Sequence, residues 1–186
     1  MIRRVTGQDA QAIADIYNEY VLRSVATFEL KPVSCAEMSR RIDEFSSCYP
    51  YFVYEENRRV LGYCYAHRWR VREAYRRTWE TTVYIDSSSR GKGIGKLLVS
   101  HLIEECRRAG IHVLVASVVG ENYNSRKLHE SLGFRPVSHF REVGRKFGRW
   151  LDIVEFQLIL QDGGQNDTVD EKEDLPCPEK QVEIKL

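Results

Sequence analysis

Arg90-Gly91-Lys92-Gly93-Ile94-Gly95 sets two cations among three glycines. It follows an apolar, β-branched run at 83–85 and opens a helical pattern with Ile94, Leu97, Leu98, His101 and Leu102 on one face. Strand, glycine-rich turn and helix aim unpaired N–H groups and a positive helix end at an anion, most often phosphate. Glycines let such a ligand reach the backbone and supply positive φ where the turn needs it. Spacing separates three loops of this kind. A P-loop ending in Lys96 would need glycine at 90 and a hydroxyl at 97, where Arg90 and Leu97 stand. The dinucleotide fingerprint fails because Lys96 and Leu98 occupy the places for its third glycine. Arg-x-x-Gly-x-Gly remains.

A second cluster lies just upstream. Arg68, Arg70, Arg72, Arg76 and Arg77 crowd ten residues, and guanidinium forks bind carboxylates and phosphinates in pairs. The five cysteines (35, 48, 64, 106 and 177) show no Cys-x-x-Cys pair, and no histidines stand at ligand spacing. Reduced thiols and no metal are the expectation. Cys64 and Cys106 have no partner at a spacing that would make them nucleophiles.

The elements that must position these groups can be read in order. The 186 residues suit one domain with a real core; 42% are hydrophobic and 30% charged. A short strand at 2–5 precedes a helix introduced by Thr6 and Asp9, in which Ile13, Ile16, Tyr17, Tyr20 and Val21 recur at helical spacing. Ser34 and Glu37 form a capping box for a second helix to about 45, with Met38, Ile42 and Phe45 inward. Strands at 51–55 and 60–67 flank a polar turn, and a strand at 78–85 enters the glycine-rich loop. Gly110 ends the following helix. Residues 112–118 read as a strand buried on both faces, 122–132 as a helix, and 137–143 and 151–160 as two last strands. Residues 161–186 carry eight acidic and three basic residues, net −5, and read as a disordered tail. The first 160 therefore carry +6 within a total of +1, a charge that suits an anionic ligand without separating a coenzyme from nucleic acid. No apolar run approaches membrane-spanning length and no signal peptide opens the chain, so a cytoplasmic protein is expected.

The Arg90–Gly95 loop resembles the pyrophosphate loop of the GCN5-related N-acetyltransferases. Asn122-Tyr123-Asn124-Ser125-Arg126-Lys127-Leu128-His129-Glu130-Ser131-Leu132-Gly133-Phe134 resembles the Asn-x-x-Ser-x-x-Leu block of the same superfamily. A closer likeness runs through residues 1–160. Ile16-Tyr17-Asn18, Ala26-Thr27-Phe28-Glu29, Gly62-Tyr63, Trp69-Arg70, Arg77-Thr78-x-Glu80 and Lys146-Phe147-Gly148-Arg149-Trp150-x-Asp152 are similar to phosphinothricin and methionine sulfoximine (or sulfone) N-acetyltransferases.

The resemblance implies a mixed α/β acyl-CoA N-acyltransferase fold, a central, mostly antiparallel sheet flanked by helices. It implies acetyl-CoA as co-substrate, held by Val83, Tyr84, Ile85, Arg90, Gly91, Lys92, Gly93, Ile94, Gly95, Lys96, Asn122 and Ser131. It implies a small amino-acid-like substrate lined by Arg70, Val71, Arg72, Glu80, Thr81 and Thr82, with Glu29 helping to place the amine. Glu80 is the implied general base. His129 stands where many relatives carry an acid tyrosine and is the expected proton donor to the leaving thiolate. A homodimer is implied, in which Lys146 reaches the neighbouring site; nucleic acid and membrane are not expected partners. The chain departs from the related pattern at Arg70-Val71-Arg72 and Thr78-Trp79-Glu80, where Arg-Pro-Phe and Thr-Val-Glu are usual. A cation at 72 in place of an aromatic favours a more anionic substrate. Two other readings stay open: acetylation of another small amine or a protein N-terminus, and an acyl-CoA-binding module without turnover.

Overall fold

The computed structural model describes residues 1–160; the tail expected at 161–186 lies outside the described residues. Seven strands form one sheet: β1 (Ile2–Arg4), β2 (Tyr51–Glu56), β3 (Arg59–Arg68), β4 (Thr78–Ile85), β5 (Val113–Val119), β6 (Arg135–Lys146) and β7 (Arg149–Ile159). Their order across the sheet is β1-β2-β3-β4-β5-β7-β6. Only β4 and β5 run parallel; every other neighbour is antiparallel. Four helices, α1 (Ala10–Arg23), α2 (Cys35–Ser46), α3 (Ile94–Arg108) and α4 (Tyr123–Ser131), flank it. This is the mixed, mostly antiparallel α/β sheet implied by the sequence.

Two apolar clusters sit on the sheet. Helix α3 packs Leu98, Val99 and Leu102 against Cys64, Leu114 and Phe156; α1 and α2 pack Ile13, Val21 and Ile42 against Val53 and Tyr63. The helices follow their amphipathic stripes, since burying that face is what stabilises a short helix. Ser34 Oγ accepts the Glu37 N–H and caps α2. The Glu37 carboxylate does not complete a capping box there; Arg40 and Arg41 take it instead. Asn57 and Arg58 turn the β2–β3 hairpin at positive φ.

Among the described residues Cys35, Cys64 and Cys106 are free thiols. Burial pushes the Cys106 thiol up to about 12, so it is protonated and inert as a nucleophile. No group of side chains suited to a metal occurs among the described residues.

Candidate active site

The site begins where two strands part. Parallel β4 and β5 are paired only at Thr78–Val113, Trp79–Leu114 and Glu80–Val115, whereas β4 stays paired with β3 through Ile85. Beyond Glu80 one edge of β4 therefore loses its neighbour. Thr81 marks the fork, its Oγ1 donating to the Val115 carbonyl across the gap (3.2 Å). Asp86 N–H donates to Leu61 on the β3 side, and strand alternation turns the backbone of Val83 and Ile85 to the opened side. The Tyr20 hydroxyl occupies Ile85, donating to its carbonyl (2.6 Å) and accepting from its N–H (3.3 Å). Of the three residues expected to offer N–H donors, Tyr84 faces β3, Ile85 is held by Tyr20, and Val83 remains open.

The opened edge lines a cleft of about 1640 Å³ that continues to the glycine-rich loop. Gly91 and Gly93 take φ of 77° and 78°, the left-handed region that a side chain resists, and a Cβ on either would meet open space. The first intrahelical bond of α3 joins Leu97 N–H to Gly93 C=O (3.1 Å), so the N–H groups of Ile94, Gly95 and Lys96 precede the ladder. Those donors and the positive helix end fit a pyrophosphate. Arg90 lies with its guanidinium 4.7 Å from the Tyr20 ring centroid. Lys92 is exposed and outside the cleft lining.

Helix α4 closes another wall. Asn122 caps it by accepting the Ser125 N–H (3.2 Å) and lines the cleft. Ser131, expected at the coenzyme, is exposed at the helix's far end and donates to the Leu128 carbonyl. His129 is buried between Phe134 and Phe156. Its Nδ1 lies 2.8 Å from the Ser125 carbonyl, which can only accept, so the ring proton is on Nδ1. Nε2 is buried with no hydrogen-bond partner among the described residues, and burial holds the ring's pKa below its ordinary value. The neutral ring thus presents a lone pair, which corrects the expectation of a ready proton donor.

The amino-acid end is built by β3, β4, α1 and α2. Glu80 lies opposite His67 and is half-buried in the cleft wall with Thr81 and Thr82. Thr82 hydrogen-bonds Tyr65, whose hydroxyl pKa is raised by burial. Glu29 pairs with Arg41 (2.7 Å), and the Arg41 Nε bonds Glu37 (2.9 Å). The arginine cluster contributes less than its density suggested. Arg70 lines the cleft and stacks on Trp69, 4.2 Å from the ring centroid. Arg68 and Arg76 pair with Glu73. Val71 is 74% exposed, and both it and Arg72 lie outside the lining, on the turn leading to Glu73–Tyr75. Lys146 is the other correction. It is 2% exposed and donates within its own chain to the carbonyls of Thr27 and Tyr20, so its ammonium does not extend to a neighbour.

The sequence model of the acetyltransferase (GNAT) domain family matches residues 2–154. The chain belongs to the GNAT acetyltransferase family. The Escherichia coli (strain K12) L-amino acid N-acyltransferase MnaT is 40% identical over 172 residues, spanning 90% of this chain and 98% of its own. A Salmonella typhimurium L-methionine sulfoximine/L-methionine sulfone acetyltransferase is 39% identical over 165 residues, spanning 87% and 95%. The crystal structure of a Sinorhizobium meliloti phosphinothricin acetyltransferase in complex with AcCoA superposes with a TM-score of 0.87 at 36% identity, covering 96% of this chain and 98% of that one.

As a GNAT acetyltransferase the chain is an acyltransferase with acetyl-CoA as co-substrate, and the parted strands with the α3 N-terminus are the geometry suited to that ligand. Reading the sequence missed Tyr17, Arg41, Tyr65 and His67, all in the cleft lining. Period-two alternation puts Tyr63, Tyr65 and His67 on one face of β3, and Arg41 stands three residues after Met38 on the inward side of α2. Those patterns are visible in the sequence; which face meets the cleft is not.

Proposed function

We propose that this GNAT acetyltransferase moves acetyl from acetyl-CoA to the α-amine of a small amino-acid analogue with a tetrahedral, polar head. Phosphinothricin, methionine sulfoximine and methionine sulfone are the candidate substrates. The observation that carries the reading is Glu80 at the last paired position of β4 and β5, one residue before the edge opens. The thioester carbonyl fits beside the open N–H of Val83, and such a donor on a developing oxyanion is worth about 3–4 kcal/mol in other enzymes. Glu80, directly or through one water, takes the proton that the ammonium must lose before it attacks. The tetrahedral adduct then collapses as the C–S bond breaks, and the second proton lost by the amine nitrogen passes to the departing sulfur, directly or through water, giving the amide and free coenzyme A thiol. His129 is left out of the acid role because its one ring proton is engaged by Ser125.

Relatives named for methionine sulfoximine, methionine sulfone and phosphinothricin support this substrate class. The cleft's mixed character supports it too: Arg41 and Arg70 offer cations, Tyr65 and Trp69 offer apolar walls, and Glu29 and Glu80 suit an ammonium. We place the enzyme in the cytoplasm as a homodimer.

Free thiol release from acetyl-CoA with each of the three candidates tests the reading. At least one should be turned over, and Glu80→Gln should lower kcat/KM by about 10²–10⁴ and flatten its rise with pH. Thiol release with none of the three, by a protein that still binds acetyl-CoA, would remove the substrate class. An unchanged pH profile in Glu80→Gln would remove the base.

A further inference from the structure

Lys146 closes β6, far from α1 in sequence, yet its ammonium is spent beside that helix. Nζ donates to the Thr27 carbonyl at 2.8 Å and to the Tyr20 carbonyl at 3.3 Å. The Tyr20 carbonyl also accepts the Ser24 N–H, at the C-terminal end of α1 where the helix dipole is negative. A buried ammonium costs several kcal/mol unless hydrogen bonds and charge offset the loss of water. Here two carbonyls, a helix C-terminus and the nearby Glu29 charge offset part of that cost, while burial still holds the ammonium's pKa below its ordinary value. Because its acceptors bracket residues 21–26, this one cation staples the connection between α1 and α2 to the β6–β7 hairpin.

A second grip lies two residues upstream. Gly144 is seated against the ring of Phe28, so closely that a Cβ would overlap the ring. What the hairpin holds is the amino-acid wall of the cleft. The Thr27 hydroxyl shares a hydrogen bond with Tyr17 (2.8 Å), and Glu29 is paired with Arg41 (2.7 Å). All four residues line the cleft, while Lys146 does not.

We propose that Lys146 is a positioning residue for the amino-acid substrate, fixing residues 24–29 against the hairpin so that Thr27 and Glu29 hold their places in the cleft. The inference rests on the proposed substrate end of the cleft. It differs from direct contact with substrate, in this subunit or a neighbour's, because the ammonium already faces backbone carbonyls of its own chain.

Two variants test it. Lys146→Met removes the ammonium at similar length, and Gly144→Ala displaces Phe28 without changing charge. In both, backbone hydrogen exchange over 24–29 in the ligand-free protein should quicken about tenfold or more, a readout that needs no substrate. KM for the amino acid should rise about tenfold, with KM for acetyl-CoA within about twofold and kcat changed less than KM. Lys146→Arg, which keeps a cation, should fall between; should Lys146→Met not fold, Lys146→Arg and Gly144→Ala carry the same comparison. Unchanged exchange over 24–29 would overturn the proposal, as would a parallel loss of acetyl-CoA and amino-acid affinity. If wild type acetylates none of the candidate amino acids, the substrate class fails while the exchange comparison still decides the role of Lys146.

Discussion

His129 shows how one hydrogen bond decides what a histidine can do. The Ser125 carbonyl fixes the ring proton on Nδ1, and burial disfavours a second proton on Nε2. The folded-state pKa is therefore depressed, while the unfolded chain takes up its proton near the ordinary value of about 6.5. Stability contributed by the neutral ring is fully present above that pH and is lost as pH falls toward the folded value, because the unfolded chain then binds the extra proton. His129→Gln keeps a polar side chain but cannot titrate. Thermal melting followed from pH 8 to pH 5 should show wild type losing more stability below about pH 6.5 than His129→Gln. Parallel curves would mean that the buried ring does not contribute to acid sensitivity. At this scale the sequence exposes features whose geometry is local: the positive-φ glycine turn before α3 and the Asn122 cap of α4. It does not reveal the partners of Lys146 and Ser131 or that Arg72 lies outside the cleft lining, because a side chain's place relative to other elements is a tertiary fact. No spacing rule joins Lys146 to Thr27, 119 residues away.

The elements carry their own evidence. Strand β4 and helices α3 and α4 are legible within a residue or so, because caps, glycines and apolar periods agree there. Strand β6 is longer than its pattern suggests. It runs Arg135–Lys146, but Pro136, the register shifts near Pro136 and between Phe140 and Gly144, and largely exposed side chains erase the alternation that marks a half-buried strand. The turn before α3 makes a sharper claim. Gly93 is the N-cap of α3 at φ 78°, and a Cβ there would have nothing within 4 Å, so alanine meets backbone strain and no clash. That strain costs about 1–2 kcal/mol. If the loop relaxes and tilts its N–H groups away from the pyrophosphate, KM for acetyl-CoA should rise about 5–30-fold with little change in KM for the amino acid. Gly7→Ala, likewise in open space but at ordinary φ, is the control and should leave both unchanged. Equal kinetics for Gly93→Ala and Gly7→Ala would show that the left-handed turn is dispensable.

At the scale of the whole molecule, the sheet of the described residues ends at β6. Among those residues β6 is the outermost strand and pairs with β7 alone, and such an edge offers N–H and C=O groups to another chain. Along it and its hairpin Val137, Phe140, Val143, Phe147 and Trp150 are each 45–59% exposed. Apolar side chains gathered on such an edge are the ground on which the proposed homodimer can be tested. A two-fold axis beside β6 would set this surface against its own copy, and the interleaved cations and anions there, Arg141, Glu142, Arg145 and the Arg149–Glu121 pair, suit a self-complementary contact. The cleft and the Lys146 anchor lie within one chain, so association would support the hairpin from outside without supplying its ammonium. Sedimentation equilibrium at about 10 μM, tight enough for a standard interface, should give twice the 21.7 kDa chain mass. The double variant Phe140→Asp, Val143→Asp places like charges on both sides of the axis and should sediment at the chain mass. It should still bind acetyl-CoA, because neither residue lines the cleft. Wild type at the chain mass under those conditions would leave the β6 edge solvated and remove the dimer.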